Sequence, residues 1–272
     1  ICATHGCVEI AMPVHLLVRH GIPGKHRILG QSWHVAGERV PRVRQRTIPA
    51  PMMETVMEHL SGKDVVVTGG TGALGGVVVQ RLEQAGARCH VPSRREGVDL
   101  ADEQAVDRYY EALPPLWASI HVAGGFAMSP IGRENRTGFM HMMEVNALTV
   151  LLCSRAAVRN MRRTGSGGRI VNVCSRPVLE PRRGAGMVAY AASKAAVAAI
   201  TLALAEELKD EQILVNAIAP SMIDTPANRK AMPRADFARW LSPEAAAEVI
   251  LQLLLPGNTA VSGAVLPLFA RA

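Results

Sequence analysis

Two residues with complementary chemistry stand four apart in Tyr190-Ala191-Ala192-Ser193-Lys194. On a helix that spacing puts phenol and ammonium on one face, about one turn apart. A nearby ammonium lowers a phenol's pKa from its ordinary value of about 10, which suits Tyr190 to give and take a proton near neutral pH. Two surface residues of an ordinary helix would show the same spacing. From Tyr190 to Leu204, however, only Ser193, Lys194 and Thr201 are strongly polar, so the helix is apolar nearly all round. Burial on both sides is the expectation, with a subunit interface as the second apolar partner.

A second constellation lies upstream, where Asp64 to Val67 is followed by Thr68, Gly69, Gly70, Thr71, Gly72, Ala73, Leu74, Gly75 and Gly76 and then at once by helical spacing. Glycines there let the backbone turn sharply and approach a pyrophosphate, whose charge the free N–H groups and dipole of the helix start stabilise. A strand-to-helix turn without a ligand has the same composition, so the turn alone is suggestive. The choice of dinucleotide depends on the residues just after the second strand, since an acid binds the ribose 2′-hydroxyl of NAD and an arginine the 2′-phosphate of NADP. Ser93, Arg94 and Arg95 stand there, with no acid before Glu96. NADP is favoured and NAD is the alternative, unless the arginines are merely solvated.

These groups need elements to position them. Short apolar strands are expected at Asp64 to Val67, Ala87 to Val91, Ser119 to Val122, Arg169 to Val173, Ile213 to Ala219 and Ala264 to Leu268. Helices are expected at Ala73 to Ala85, Glu103 to Ala112, Met140 to Met161, Val188 to Lys209 and Pro243 to Leu255. The alternation implies βαβ units, hence an α/β, doubly wound (Rossmann-type) parallel sheet in a single domain, with the ligand site outside the carboxyl ends of its strands. A chain of 272 residues is long enough for one such domain.

Taken in order, the motifs resemble those of the short-chain dehydrogenase/reductase family, from roughly Ser61 to the C-terminus. TGGTGALG (Thr68 to Gly75) is similar to the family's cofactor turn, HVAGG (His121 to Gly125) to its strand-four motif, YAASK to its active-site pair, and VNAIAPSMIDT (Val215 to Thr225) to its nicotinamide-side segment. The resemblance implies an NAD(P)-dependent oxidoreductase that moves a hydride between nicotinamide and a carbonyl or alcohol. It makes Tyr190 the general acid/base and gives Lys194 the nicotinamide ribose. Ser175, in VNVCS at a strand end, would bond the substrate oxygen, and Asn146 would hold a water in the proton relay. Cofactor contacts would come from Thr68, Gly69, Thr71, Gly72, Leu74 and Gly75, from Arg94, Asp99 and Leu100, and from Ala123, Gly124, Pro220, Ile223 and Thr225, the last touching the carboxamide.

The chain departs from the family pattern at several points. Ala73 replaces a glycine of the commonest turn, His121 stands where an asparagine is usual, Ser221 follows Pro220 in place of glycine, and Ser175 lies fifteen residues before Tyr190. The largest departure is between Val91 and Asp99, where only Pro92 to Val98 stand in place of a helix and a strand. Seven residues cannot make a parallel crossover, so the third strand and preceding helix are expected to be missing and the second strand to become a sheet edge. A catalytically idle scaffold or oligomerisation protein with weakened cofactor binding is the competing reading. Pro226 to Trp240 would form a lid over the substrate, with Phe126 and Met128 lining the cleft.

Composition narrows the rest. The net charge of +7 sits mostly in residues 1–50, with seven Lys/Arg against two acids, and few aromatics are present to stack on bases. Nucleic acid is therefore not an expected partner. Residues 1–60 are expected to be a disordered or mis-called N-terminal extension, because the first fifty hold five of the nine histidines, show no sustained period and precede Met52, Met53 and Met57. A transit peptide fits poorly with so little serine. Residues 61–272 would be the dinucleotide-binding catalytic domain. Cys2, Cys7, Cys89, Cys153 and Cys174 match neither a zinc site nor a disulfide framework, so no metal is expected and the thiols read as free. With no stretch approaching the roughly 20 apolar residues that cross a bilayer, a cytoplasmic homodimer or homotetramer acting on a small molecule is expected, with no membrane partner.

Overall fold

The computed structural model describes residues 59–271. The expectations for residues 1–58, including Cys2 and Cys7, fall outside the described residues. Leu60, one residue before the expected start of the domain, is fully buried in its core, so the folded unit reaches further upstream than Ser61.

Six parallel strands form one sheet: β1 (Asp64–Thr68), β2 (Arg88–His90), β3 (Ala118–His121), β4 (Gly168–Val173), β5 (Ile213–Pro220) and β6 (Val265–Leu268), in the spatial order β2-β1-β3-β4-β5-β6. The chain reverses direction across the sheet between β1 and β3. That switch point opens a crevice at the carboxyl ends of the strands. The inner strands are buried because both faces of the sheet are covered: β1 reads DVVVT and is buried throughout, as are β3 and β4.

One face carries α1 (Ala73–Gln84) and α7 (Pro243–Leu254), whose Leu74, Val78, Leu82, Ile250 and Leu254 close on β1 and β4. On the other face lie α2 (Glu103–Glu111), the helix pair α3 (Arg136–Met142) and α4 (Thr149–Met161), and α5 (Val188–Glu207). The short α6 (Pro226–Ala231) follows β5 and has no counterpart in the sequence expectation, its six residues being too few to show a period. Between β2 and α2 there is no strand, only a 3₁₀ turn at Arg94–Glu96. The shortened connection thus leaves β2, three residues long, as an edge paired with β1 alone.

Within the chain one side of α5 is buried, through Ala189, Ser193, Lys194, Val197, Ala198, Thr201 and Ala205, whereas Val188 and Leu202 are exposed on the side for which a subunit partner was expected. One expectation about α5 needs correction. It is long and apolar enough to cross a membrane by length and composition, contrary to the reading that no stretch is. Its packing against β5 and β4 and its buried polar residues are those of a helix with one face in the core, and such an apolar helix meets the same criterion.

Candidate active site

Lys194 is 6% exposed, and its ammonium donates a 2.8 Å hydrogen bond to the backbone carbonyl of Val173, the last residue of β4. Burial pushes the Lys194 pKa down to about 8, partly opposed by Cys174. Tyr190 lies one turn earlier and is half-buried, with its ring edge-on to Phe126 at 4.9 Å between centroids. Its phenol is raised above the ordinary value by burial, and Ser175 offsets part of the rise. The expected lowering of the Tyr190 pKa by Lys194 is therefore not found. The ammonium is turned to the strand carbonyl, and burial of the phenol dominates.

Ser175 directly follows Cys174 beyond β4. Its hydroxyl is buried and makes no hydrogen bond of ordinary geometry, although it lies near enough to Tyr190 to affect the phenol. Buried polar groups left without a partner are rare and cost stability.

Asn146 is fully buried in a π-helical stretch, Met143–Leu148, between α3 and α4. Such bulges recur at functional sites because they redirect a side chain at the cost of the regular ladder. Here the amide accepts from the Gly125 N–H at 3.0 Å and donates to the Gly125 carbonyl at 3.1 Å and to Ser193 Oγ at 3.0 Å. Ser193 Oγ in turn donates to the Tyr190 carbonyl at 2.8 Å. Both amide hydrogens of Asn146 are thus committed to protein, so the side chain ties the end of β3 to α5 and is left with one acceptor site for a water.

The glycine turn fits a dinucleotide phosphate. Gly69 has φ +71°, and a Cβ there would lie 2.7 Å from the Ala123 nitrogen; a Cβ on Gly75 would lie 2.1 Å from the Gly69 carbonyl oxygen. The turn is therefore as close to β3 and to α1 as backbone can come. α1 begins at Ala73 with Gly72 at its N-cap and no side-chain cap, which leaves N–H groups facing the crevice. Thr71 is exposed on the turn, and Leu74 is buried beneath it. Thr68 Oγ1 accepts from the Ala123 N–H at 3.3 Å, joining the turn to β3. A Cβ on Gly124 would meet Asn146 Oδ1 at 2.5 Å and Lys194 Nζ at 3.3 Å. This close approach brings Ala123, Gly124, Asn146 and Lys194 into one place.

The outer cofactor candidates are looser. Arg94 is exposed on the 3₁₀ turn, 3.5 Å from Asp99, which is also exposed, while Leu100 is half-buried against the core. Pro220 ends β5 and Ile223 is half-buried beyond it. Thr225 caps α6, accepting from the Asn228 N–H at 3.2 Å, and so serves the helix whatever else it touches. The expected lid is anchored at both ends: Ile223 bridges Leu241, and Arg229 pairs with Asp224 at 2.6 Å. The Arg229 guanidinium also lies over Phe237.

Sequence reasoning missed a buried chain of polar groups beneath the crevice. Tyr110 and Ser119 hydroxyls lie 2.9 Å apart, Ser119 Oγ is 2.9 Å from His121 Nε2, and His121 Nδ1 is 2.8 Å from Asn172 Oδ1. Asn172 then donates to Thr201 Oγ1 on α5 at 2.9 Å. The unusual His121 was the available signal. Burial pushes its pKa down to about 4, so the imidazole is neutral and can serve as donor on one nitrogen and acceptor on the other. A cavity of about 480 Å³ lies elsewhere, between α7 and β6 at the amino ends of the strands, and contains none of these groups.

A doubly wound sheet whose switch point brings together a close-packed glycine turn, a phenol, an ammonium and a buried serine hydroxyl defines an α/β protein of the Rossmann type. Residues 97–236 match the model of the short chain dehydrogenase family, and the chain belongs to that family of oxidoreductases. It is 32% identical over 249 residues to galactitol 2-dehydrogenase of Rhizobium johnstonii, covering 76% of this chain and 93% of the relative. A short-chain type dehydrogenase/reductase from Mycobacterium ulcerans superposes with TM-score 0.71 at 23% identity, over 78% of this chain and 90% of that one. A Beutenbergia cavernae chain assigned the name NAD(P) dependent gluconate 5-dehydrogenase, and solved with NADP bound at low occupancy, superposes with TM-score 0.70 at 26% identity, over 76% and 95%.

Proposed function

We propose that the protein reduces a carbonyl compound with NADPH, Tyr190 acting as general acid. The observation that carries this reading is the buried Ser175 hydroxyl, with no hydrogen bond of ordinary geometry, beside the Tyr190 phenol it acts on. Two O–H donors converging at the strand ends suit an oxygen that gains negative charge, as a carbonyl oxygen does when hydride reaches its carbon. The nicotinamide, when bound, supplies that hydride. Tyr190 holds the proton the oxygen takes up. Because burial raises its pKa, the phenol stays protonated through the neutral range, the state that reduction requires. Ser175 orients and stabilises the same oxygen. Lys194 presents its charge toward Gly124, where it would hold ribose hydroxyls, and Asn146 fixes Gly125 and Ser193 around both.

Exposed Arg94 and Arg95, with no acid between β2 and Glu96, support NADP over NAD, and the NADP bound in the Beutenbergia cavernae structure agrees. The exposed face of α5, with Leu148 and Leu151 exposed on the neighbouring helix segment, supports a homodimer or homotetramer. The free thiols Cys89, Cys153 and Cys174 are consistent with a reducing, cytoplasmic setting. The idle-scaffold reading draws on the edge position of β2, which thins the adenine side of the crevice.

Nucleotide titration by thermal shift separates the readings. NADPH at about 100 times its Kd should stabilise the fold by about 2.7 kcal/mol, and NADH less. Tyr190→Phe should keep that stabilisation and lower carbonyl turnover by about 100- to 10,000-fold. No stabilisation by either nucleotide at millimolar concentration would leave the scaffold reading standing.

A further inference from the structure

The wall beside Tyr190 is built from two segments that the fold fastens together. The first leaves β3 through Gly125, which Asn146 holds by both its N–H and its carbonyl, and places Phe126 edge-on to the Tyr190 ring. Three residues on, the Ser129 N–H donates to the Gly186 carbonyl at 3.0 Å, and Ser129 bridges Met187 at the entry to α5. Met128 reaches over Gly186, whose Cβ, if present, would lie 3.9 Å from the Met128 methyl. Both ends of the segment are thus pinned to the groups that hold Tyr190.

The face of this wall is apolar. Phe126 is 60% exposed, Met128 63% and Ile131 73%, and Leu179 on the second segment is 41% exposed. Large apolar side chains held this firmly and left in water, next to a candidate acid/base, mark a binding surface. On the first segment, from Phe126 to Ile131, polar groups are scarce. Ser129 is the one hydroxyl between Phe126 and Ile131, and its backbone is committed to Gly186. On the second segment Arg176 and Arg183 both turn to Glu180, at 2.9 and 2.5 Å, leaving Arg182 exposed on the turn Pro181–Gly184.

A site for a polyhydroxylated substrate needs a donor or acceptor for each hydroxyl, and such sites discriminate strongly because an absent hydroxyl leaves them unpaired. The Phe126–Ile131 segment has no such set, and on the second segment Glu180 is already engaged by Arg176 and Arg183. We infer that the substrate carries an aryl or comparably bulky apolar group next to its carbonyl, seated against Phe126 and Met128, and is not a sugar or polyol of the kind for which the galactitol and gluconate relatives are named. The inference rests on the oxidoreductase reading and adds the substrate class to it.

The test compares kcat/KM, with NADPH and the full chain, for acetophenone-type ketones and aryl aldehydes against open-chain ketoses. The aryl compounds should be favoured by at least roughly 100-fold. Phe126→Ala should lower kcat/KM for aryl compounds by roughly 10-fold, mainly through KM, and should lower any ketose activity by a clearly smaller factor. Phe126→Leu, which keeps apolar area without the ring, should fall between. Equal or better turnover of ketoses, or an equal loss for both classes in Phe126→Ala, overturns the inference while leaving the oxidoreductase reading intact. Protein that binds NADPH and turns over neither class overturns both.

Discussion

The ammonium of Lys194 is fastened to the carbonyl of Val173 at 2.8 Å, two residues before Ser175, so the helix bearing Tyr190 is bonded to the strand end bearing the serine. This charge is buried, and its pKa is about 8 against 10.5 in water. Below pH 8 both folded and unfolded chains are protonated and the desolvation penalty is felt in full. Between pH 8 and 10.5 the unfolded chain binds the extra proton, so stability rises with pH, by up to about 3 kcal/mol from this group. Urea midpoints of wild type should therefore gain on those of Lys194→Met across that window. Parallel curves would show that the ammonium is not desolvated.

His121 acts in the same direction in the acid part of the profile. Its pKa is about 4 in the fold against 6.5 in water. Stability from its neutral, doubly bonded imidazole is complete above pH 6.5 and is lost as pH falls toward 4, by up to about 3 kcal/mol. His121→Asn removes the titration and should lose less stability than wild type between pH 7 and 4, as read by chemical denaturation. A variant with the same acid slope would place the acid sensitivity in other groups.

The glycines differ in the side chains they tolerate. A Cβ at position 75 would sit 2.1 Å from the Gly69 carbonyl oxygen, whereas at Gly97, φ +79°, nothing lies within 4 Å. Gly75→Ala must push the turn off α1 and should weaken NADPH binding at least tenfold while also lowering the thermal midpoint. Gly97→Ala meets only backbone strain, about 1 kcal/mol, and should leave nucleotide affinity unchanged. Isothermal titration with NADPH checks both.

The strands were legible because each is a short apolar run bounded by turn residues: Asp64 to Val67 lies inside the observed β1, and Arg169 to Val173 inside β4. The absent crossover was legible by counting residues between Val91 and Asp99. Spacing also placed Tyr190 and Lys194 on one helix face. Spacing could not say where the ammonium points, since that depends on the Val173 carbonyl, a contact 21 residues distant in sequence. The π-helical stretch at Asn146 has no side-chain period of its own, and its helix begins at Arg136, earlier than the expected Met140, because Asn135 caps it through the Gly138 N–H. Ser193 reads as one polar residue on an apolar helix, and its bridging role exists only once β3 and α5 meet.

That bridge supplies the last prediction. Asn146 satisfies the Gly125 N–H and carbonyl and the Ser193 hydroxyl at once, all in buried or half-buried surroundings. Asn146→Ala leaves the Gly125 N–H and carbonyl without their side-chain partner, removes the bond that Ser193 Oγ accepts, and opens space between β3 and α5, which should cost about 2 to 4 kcal/mol in urea unfolding. Gly125 and Phe126 would lose their fixed distance from Tyr190, so kcat should fall further than NADPH affinity does. Asn146→Asp keeps the acceptor toward the Gly125 N–H but loses both donors and adds a buried charge, so it should be no more stable than the alanine variant. An alanine variant with wild-type stability and turnover would mean that the bridge positions nothing.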